Sequence, residues 1–183
     1  MNKKIRLAIA LMAGFIILSL LTLNYYNRVK SPPGEAAFKE DGLEITINYS
    51  RPSVRGRLIF GAAADGALQP YGSYWRLGAN EATEITINQN ITFNGVPLKA
   101  GTYRLYAVPG ASTFSIGVNT ALGKWGASEP DYQKDLFTTE VPVTFLDTPV
   151  EQMTITIEAG GEEAAMIIIS WSDVQLNIPV GLN

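Results

Sequence analysis

The sequence predicts an all-β protein, an antiparallel β-sandwich or a squat barrel, preceded by one N-terminal transmembrane helix. An apolar run at residues 7–23 contains no charge and no proline. Apolar and polar side chains alternate with a period of two through most of the remaining chain, and turn-forming residues separate the alternating stretches. We therefore expect a cytoplasmic N-terminus at 1–6, a transmembrane signal-anchor helix at 7–24, a linker at 25–40 and an exported β-sandwich domain at 41–183.

The apolar run has the length and flanks of a membrane span. As a helix it would cover about 25 Å, close to the lower limit for crossing a bilayer core. Tyr25 and Tyr26 follow it, and such side chains are typical of the membrane–water interface. The cluster Lys3, Lys4 and Arg6 favours a cytoplasmic N-terminus. These features predict a single-pass inner-membrane protein whose C-terminal domain lies in the periplasm or exterior.

A cleaved signal peptide is the alternative interpretation of this N-terminal run. Its basic start and apolar middle fit both possibilities. The run ends without a small-x-small cleavage pattern, which favours an uncleaved anchor. The chain contains no cysteine, so a lipoprotein anchor is excluded.

The alternation predicts roughly eight to ten short strands, because period two places successive side chains on opposite faces of a sheet. Asn94-Gly95 is typical of a tight hairpin turn, and Gly160-Gly161 separates two more strands. The apolar stretch 165–171 predicts a central strand covered on both faces. The stretches with alternating or near-continuous apolar side chains lie at 43–49, 54–60, 103–107, 114–118, 153–157, 165–171 and 174–180.

Composition excludes several classes of function. The chain has no histidine and no cysteine, which removes imidazole- and thiol-based nucleophilic mechanisms and the usual zinc and redox-metal sites. Beyond residue 30 there remain nine basic and 17 acidic residues, a net charge of −8. Such a surface argues against nucleic acid as a partner and against adsorption of the domain to anionic lipid. We expect no cofactor and no metal.

Two segments do not fit an ordinary strand or turn, and they are the candidate site. Residues 69–87 combine aromatic and charged side chains around two glycines, and residues 121–135 form a second irregular loop. Arg76 offers a planar donor fork that could pair with Glu81, with Glu84 or with an anionic ligand. Asn80 tolerates a left-handed backbone.

A purely structural role for these residues is the competing interpretation. Trp75 could cap the core, since a lone tryptophan is more often packed than functional. Trp125 could be packed or could offer an exposed stacking face. We expect Trp171 in the core, and solvation or pairing with acids for Arg55, Arg57 and Arg104. Asp131 and Asp135 lack the ligand spacing of a calcium loop.

Long motifs give the exported part a family resemblance. PYGSYWRLGANEATEITI, NGVPLKAGTYRLYAVPG and VNTALGKWGASEPDY resemble the bacterial family known as domain of unknown function 2911, with SRPSVRGRLIFG as its opening block. The resemblance covers about residues 40–180 and implies an exported, mostly β domain without an established activity. Members often carry a signal peptide or lipid anchor, whereas this chain has a longer apolar helix. The family's signature residues fall on Tyr71, Gly72, Trp75, Arg76, Gly78, Ala79, Asn80, Glu81, Ala82 and Thr83.

Three functions compete on these observations. The first is a non-catalytic module that binds an envelope glycan, peptide or protein through the candidate binding residues Tyr71, Trp75, Arg76, Asn80, Glu81, Thr83 and Trp125. The second is a hydrolase of an envelope glycan, with Glu81 paired to Glu84, Asp131 or Asp135 across a cleft. The third is an assembly role through exposed edge strands. We favour the first because no hydrolase signature is present, and the membrane is the one partner that the sequence itself indicates.

Overall fold

A long N-terminal helix precedes the β domain. The computed structural model of the chain describes residues 2–161 and 163–182. Helix α1 (Lys3–Lys30) begins after Asn2, whose side chain accepts a hydrogen bond from the Lys4 N–H (3.2 Å). Its side chains are exposed as far as Tyr26, so this part of the helix extends away from the β domain. The helix is long and apolar enough to cross a membrane, a property that signal sequences share.

The β domain begins almost directly after α1. Only Ser31 and Pro32 separate the helix from the first strand, so the segment 25–40 holds the last turns of the helix and a strand rather than a free linker. The described residues contain eleven strands: β1 (Pro33–Glu40), β2 (Leu43–Ser50), β3 (Phe60–Gly61), β4 (Gln69–Pro70), β5 (Thr83–Ile87), β6 (Ile91–Phe93), β7 (Val96–Leu98), β8 (Gly101–Val108), β9 (Thr113–Asn119), β10 (Asp135–Ala159) and β11 (Ala165–Leu182).

Nine of these strands form one antiparallel sheet that folds around a single core, as the all-β prediction requires. Their order is β1-β2-β5-β8-β9-β10-β11-β6-β7, and β3 and β4 form a short parallel pair beside them. The long strand β10 pairs with β9 through its first residues, 135–142, and with β11 from 143 onward. Across the core, the Tyr49 hydroxyl of β2 accepts a hydrogen bond from the Ile155 N–H of β10 (2.9 Å). Because it pairs with both β9 and β11, strand β10 joins the two halves of the sandwich.

Aromatic side chains fill the centre of this core. Trp75 stacks on Trp171 with ring centroids 5.8 Å apart, and Phe60 meets both indoles edge-on. The prediction that Trp171 is a core residue is confirmed, since it is 2% exposed. In β11, however, Met166 and Ile168 are only half-buried while their alternating neighbours are fully buried. The prediction that this strand is covered on both faces is therefore wrong.

Local chemistry decides which turns and strands form. Asn94 and Gly95 both adopt positive φ angles (48° and 79°) between β6 and β7, which confirms the predicted hairpin. The alternating stretch 54–60 forms a strand only at its end, because Arg55 and Gly56 also take positive φ angles and turn the chain. The Arg57 guanidinium closes that turn by donating to the carbonyls of residues 53 and 54.

Candidate functional site

The two irregular segments, 69–87 and 121–135, meet beside the end of α1. The Ala82 N–H donates to the Lys124 carbonyl (3.1 Å), and the Gly126 N–H donates to the Asn80 carbonyl (2.8 Å). These bonds form a short antiparallel bridge in which Glu81 lies opposite Trp125. Gly126 permits this approach, because a Cβ at that position would lie 2.7 Å from the Arg76 side chain.

A cleft lies between this bridge, the end of β2 and the last turn of α1. Its volume of about 430 Å³ suits a small ligand or one or two residues of a polymer. We name it the junction cleft. It is lined by Arg28, Pro33, Gly34, Asn48, Tyr49, Ser50, Glu81, Ala82, Glu84, Gly123, Lys124 and Trp125.

Charges of both signs line the junction cleft. Glu81 accepts from the Arg28 guanidinium at 2.5 Å, and both side chains are nearly half exposed. Glu84 accepts a hydrogen bond from the Gly123 N–H (2.7 Å). With the Lys124 ammonium, two cations and two carboxylates surround the space. The cleft therefore matches a neutral or zwitterionic ligand better than a strongly charged one.

Two of the predicted binding residues, Glu81 and Trp125, line this cleft directly. Trp125 is 45% exposed and offers an indole face to solvent. Asn80 lies behind the cleft, where its side-chain amide donates to the Ser31 carbonyl (3.1 Å) and its backbone has a φ of 55°. The structure thus brings part of the predicted set together at the foot of the helix.

Four other predicted residues do not line the cleft. Trp75 and Thr83 are buried, and the Thr83 hydroxyl donates to the Leu77 carbonyl (2.7 Å). Tyr71 is 38% exposed but lies next to β3, where its N–H donates to the Gly61 carbonyl. The fourth, Arg76, is half-buried beneath the bridge.

Arg76 makes no ion pair with either of its predicted partners, Glu81 and Glu84, within the described part of the chain. Its guanidinium instead donates to the Asn80 carbonyl, at a long distance of 3.5 Å. Burial lowers the pKa of Arg76, and the nearby charge of Arg104 lowers it further while Tyr74 opposes the shift. Arg76 therefore makes a structural contact within segment 69–87, beneath the bridge to Trp125.

The loop 121–135 also covers the outer face of β8, and this overturns the expectation for Arg104. That side chain is 1% exposed rather than solvated, and it has no acidic partner among the described residues. Its guanidinium donates to the Tyr74 hydroxyl (2.5 Å) and to the Ser128 carbonyl (2.7 Å). A strand residue predicted to face water is buried because a long loop folds over it.

The two aspartates of that loop have structural contacts away from the junction cleft. Asp135 accepts from the Tyr106 hydroxyl and from the Asn119 amide, each at 2.6 Å. Asp131 caps the short 3-10 turn Tyr132–Lys134. Neither lines the junction cleft with Glu81. In the described ranges, no cluster of three or more acidic side chains is arranged to hold a metal ion.

Sequence reasoning missed the contributions of α1 and β2 to the cleft. Arg28, in the last turn of α1, and residues 48–50, at the end of β2, line the cleft, and no local sequence pattern marks them as site residues. Their position depends on the pairing of β1 with β2, which places Pro33 opposite Ser50.

Fold and cleft together define a class of protein, an all-β domain joined directly to a helix of membrane-spanning length, with a cleft at their junction. Within that class the chain belongs to the family described as "Protein of unknown function (DUF2911)", whose model matches residues 31–180. The match begins at the first residue after α1 and confirms the resemblance. No curated protein and no solved structure matches the chain.

Proposed function

We propose that this chain is a membrane-tethered, non-catalytic binding module of the cell envelope and that the junction cleft holds its ligand. The observation that carries the proposal is the convergence of the two irregular segments on one concave site. An exposed indole stands there beside carboxylates and cations. Such a combination supplies a stacking face and directional hydrogen-bonding groups, which sugars and short peptides both require.

The proposal includes an uncleaved α1 in the inner membrane, with the β domain in the periplasm or exterior. Support comes from the basic residues before the apolar run and from the missing cleavage pattern. The hydrogen bond from Asn80 to the Ser31 carbonyl also gives the helix end a structural role in the folded domain. A reporter enzyme fused to the C-terminus should be active only outside the cytosol, and immunoblotting should show the full-length chain in the membrane fraction.

Ligand binding is tested with the full chain in detergent against purified peptidoglycan fragments and envelope peptides, by isothermal titration calorimetry. We expect Trp125→Ala to abolish measurable binding, because it removes the stacking face. Tyr71→Ala is the matched control, since Tyr71 is a similarly exposed aromatic outside the cleft. Binding that survives Trp125→Ala unchanged, or equal losses in both variants, would contradict the proposal.

A hydrolase remains the second candidate because Glu81 and Glu84 line the same cleft. Glycoside cleavage requires one of two carboxyl groups to carry a proton for the leaving group. Here each carboxylate is already engaged as an acceptor, Glu81 by the Arg28 guanidinium and Glu84 by the Gly123 N–H. The proposal therefore predicts binding without turnover. Release of reducing ends that disappears in Glu84→Gln would establish the hydrolase instead.

A further inference from the structure

The exit of α1 from the domain has a defined direction. The Asn80 amide donates to the Ser31 carbonyl (3.1 Å), and the Arg51 N–H donates to the Pro32 carbonyl (2.8 Å). The Arg55 guanidinium donates to the Lys30 carbonyl (3.0 Å). Three successive carbonyls are thus held by the β domain. Side chains close to this junction therefore have a fixed position along the helix axis.

The loop that carries Trp125 lies at the level of the last turn of α1. Arg28, in the last turn of α1, contacts Glu81, which is bridged to Trp125. Tyr25 and Tyr26 lie two or three residues earlier and are 71% and 52% exposed. At 1.5 Å per helical residue they are only about 3–5 Å below Arg28 along the axis. If these tyrosines occupy the interface, the loop that carries Trp125 is at the same level.

The loop exposes the side chains that a bilayer interface accepts. Leu122 is 40% exposed and Trp125 is 45% exposed, with Lys124 between them and also exposed. Indole rings favour the headgroup region, and a lysine stem can lie along apolar surface while its ammonium stays in water. The backbone of the loop is held in place by the bond from the Ala82 N–H to the Lys124 carbonyl and by the bond from the Gly123 N–H to Glu84, so its exposed side chains keep defined positions.

We propose that residues 121–125, named here the interface loop, insert Leu122 and Trp125 into the headgroup layer of the bilayer that α1 crosses. This inference rests on the proposed anchoring. The net charge of −8 beyond residue 30 opposes general adsorption to lipid, so the contact is confined to this loop and depends on apolar and aromatic side chains. The junction cleft then opens at the membrane surface, where lipid and the proposed ligand compete for the Trp125 indole.

The chain offers a direct optical test, because it has three tryptophans and Trp75 and Trp171 are buried at 2% exposure. Trp125 is therefore the one that external quenchers reach. The full chain is reconstituted in phosphatidylcholine vesicles with bromines either near the glycerol end or near the far end of the acyl chains. We expect stronger quenching by the shallow bromines, and a loss of iodide quenching relative to the protein in detergent. Trp125→Phe should lose the quenchable component.

A matched control places a tryptophan near the far end of β1, away from the junction with α1. Lys39→Trp in the Trp125→Phe background puts the reporter six residues along β1 from Pro33, about 20 Å away. This reporter should stay open to iodide and insensitive to both brominated lipids. In the native background, Leu122→Asn should weaken the lipid quenching of Trp125. Trp125 that remains fully open to iodide in vesicles, or that is quenched no more than the Lys39→Trp reporter, would overturn the proposal.

These readouts separate this inference from the proposed function. If α1 does not anchor the chain, the protein fails to float with the vesicles in a density gradient, and that failure belongs to the proposed function. If the chain floats and Trp125 stays in water, the anchor holds and the interface loop is wrong. A chain that floats, shows a lipid-quenched Trp125 and binds no glycan or peptide supports the loop and contradicts the ligand proposal.

Discussion

Trp75 and Trp125 lie in the two irregular segments of the same domain, yet their surroundings differ completely. Trp75 is 2% exposed and stacks on Trp171 in the core, while Trp125 is 45% exposed in the junction cleft. The backbone of Trp75 bonds to Ala107 in both directions, which joins the first segment to β8. The comparison shows two environments for the aromatic residues of these motifs: one closes the core, and the other stays exposed at the junction cleft, where we propose that it meets a ligand.

The strongest test of this difference is to replace each of the two tryptophans with alanine in turn. Trp75→Ala should lower the free energy of unfolding by about 3–5 kcal/mol, because it leaves a cavity among Trp171, Phe60 and Phe114. Trp125→Ala should change it by no more than about 0.5 kcal/mol, as surface substitutions usually do. Denaturant titration of the full chain in detergent measures both. Equal losses would show that Trp125 is a packing residue.

A second prediction concerns the support of the loop that carries Trp125. The Tyr74 hydroxyl donates to the Gly126 carbonyl (2.9 Å) and accepts from Arg104. Tyr74→Phe should destabilise the protein by about 1–3 kcal/mol, because it leaves a buried guanidinium with one partner fewer. Hydrogen exchange should rise in residues 121–128 and stay unchanged in β11. Tyr71→Phe, which alters an exposed tyrosine outside this cluster, is the control. Exchange that rises equally in both variants would contradict the prediction.

The same loop should respond to alkaline pH. Tyr132 is 48% exposed, and its partial burial, followed by the hydrogen bond to Glu129, raises its pKa to about 12. In the unfolded chain the value is about 10, so the folded state holds this proton more tightly. The stabilisation is complete below about pH 10 and is lost as pH rises through about 12. Burial also raises the pKa of Tyr106, in the same direction.

The measurement is the free energy of unfolding at about pH 9 and about pH 11. Wild type should lose stability between these values, and Tyr132→Phe should lose less, because one of the two tyrosines with a raised pKa is gone. Tyr71→Phe again serves as the control. If Tyr132→Phe and wild type lose the same amount, Tyr132 does not carry the effect.

The smallest effect is expected at the exposed ion pair of the junction cleft. Arg28→Gln should cost less than about 1 kcal/mol, because both partners are largely solvated. The more informative readout is the ligand titration described above. Removing one cation while keeping Glu81 makes the cleft more acidic, so binding of an anionic peptide should weaken more than binding of a neutral glycan. Identical changes for both ligands would argue against a role for this charge.

The fold class could be predicted from sequence because alternation reports burial directly. Leu43, Ile45 and Ile47 are all buried in β2, and the Asn94-Gly95 hairpin was visible from two residues. The failures arise because a period of two shows neither whether a stretch is paired nor what covers its outer face. At 54–60 a turn at Arg55 removes the pairing. On β8, the outer face that holds Arg104 is covered by a loop from elsewhere in the chain.

The candidate site could be predicted only in part. Glu81 and Trp125 were found because their segments are locally unusual, with aromatic and charged side chains outside any strand pattern. Local composition carries no information about which distant elements will meet those segments. Arg28 is separated from Glu81 by 53 positions and reaches the cleft only through the helix–strand junction. Trp75 has the same local signature as a binding residue and is instead buried.

Under the proposed anchoring, the two-residue connection between α1 and β1 limits how far the β domain can reach from the membrane. Ser31 and Pro32 span about 7 Å even when fully extended, and both carbonyls are already engaged. A domain of this size is roughly 40 Å across. A retained anchor would therefore limit its contacts to partners within about that distance of the lipid surface. Distant wall polymers or proteins would have to come to the membrane to be recognised. A retained anchor would therefore hold the domain at a fixed position on the membrane, because Ser31 and Pro32 are too short and too firmly bonded to act as a flexible linker.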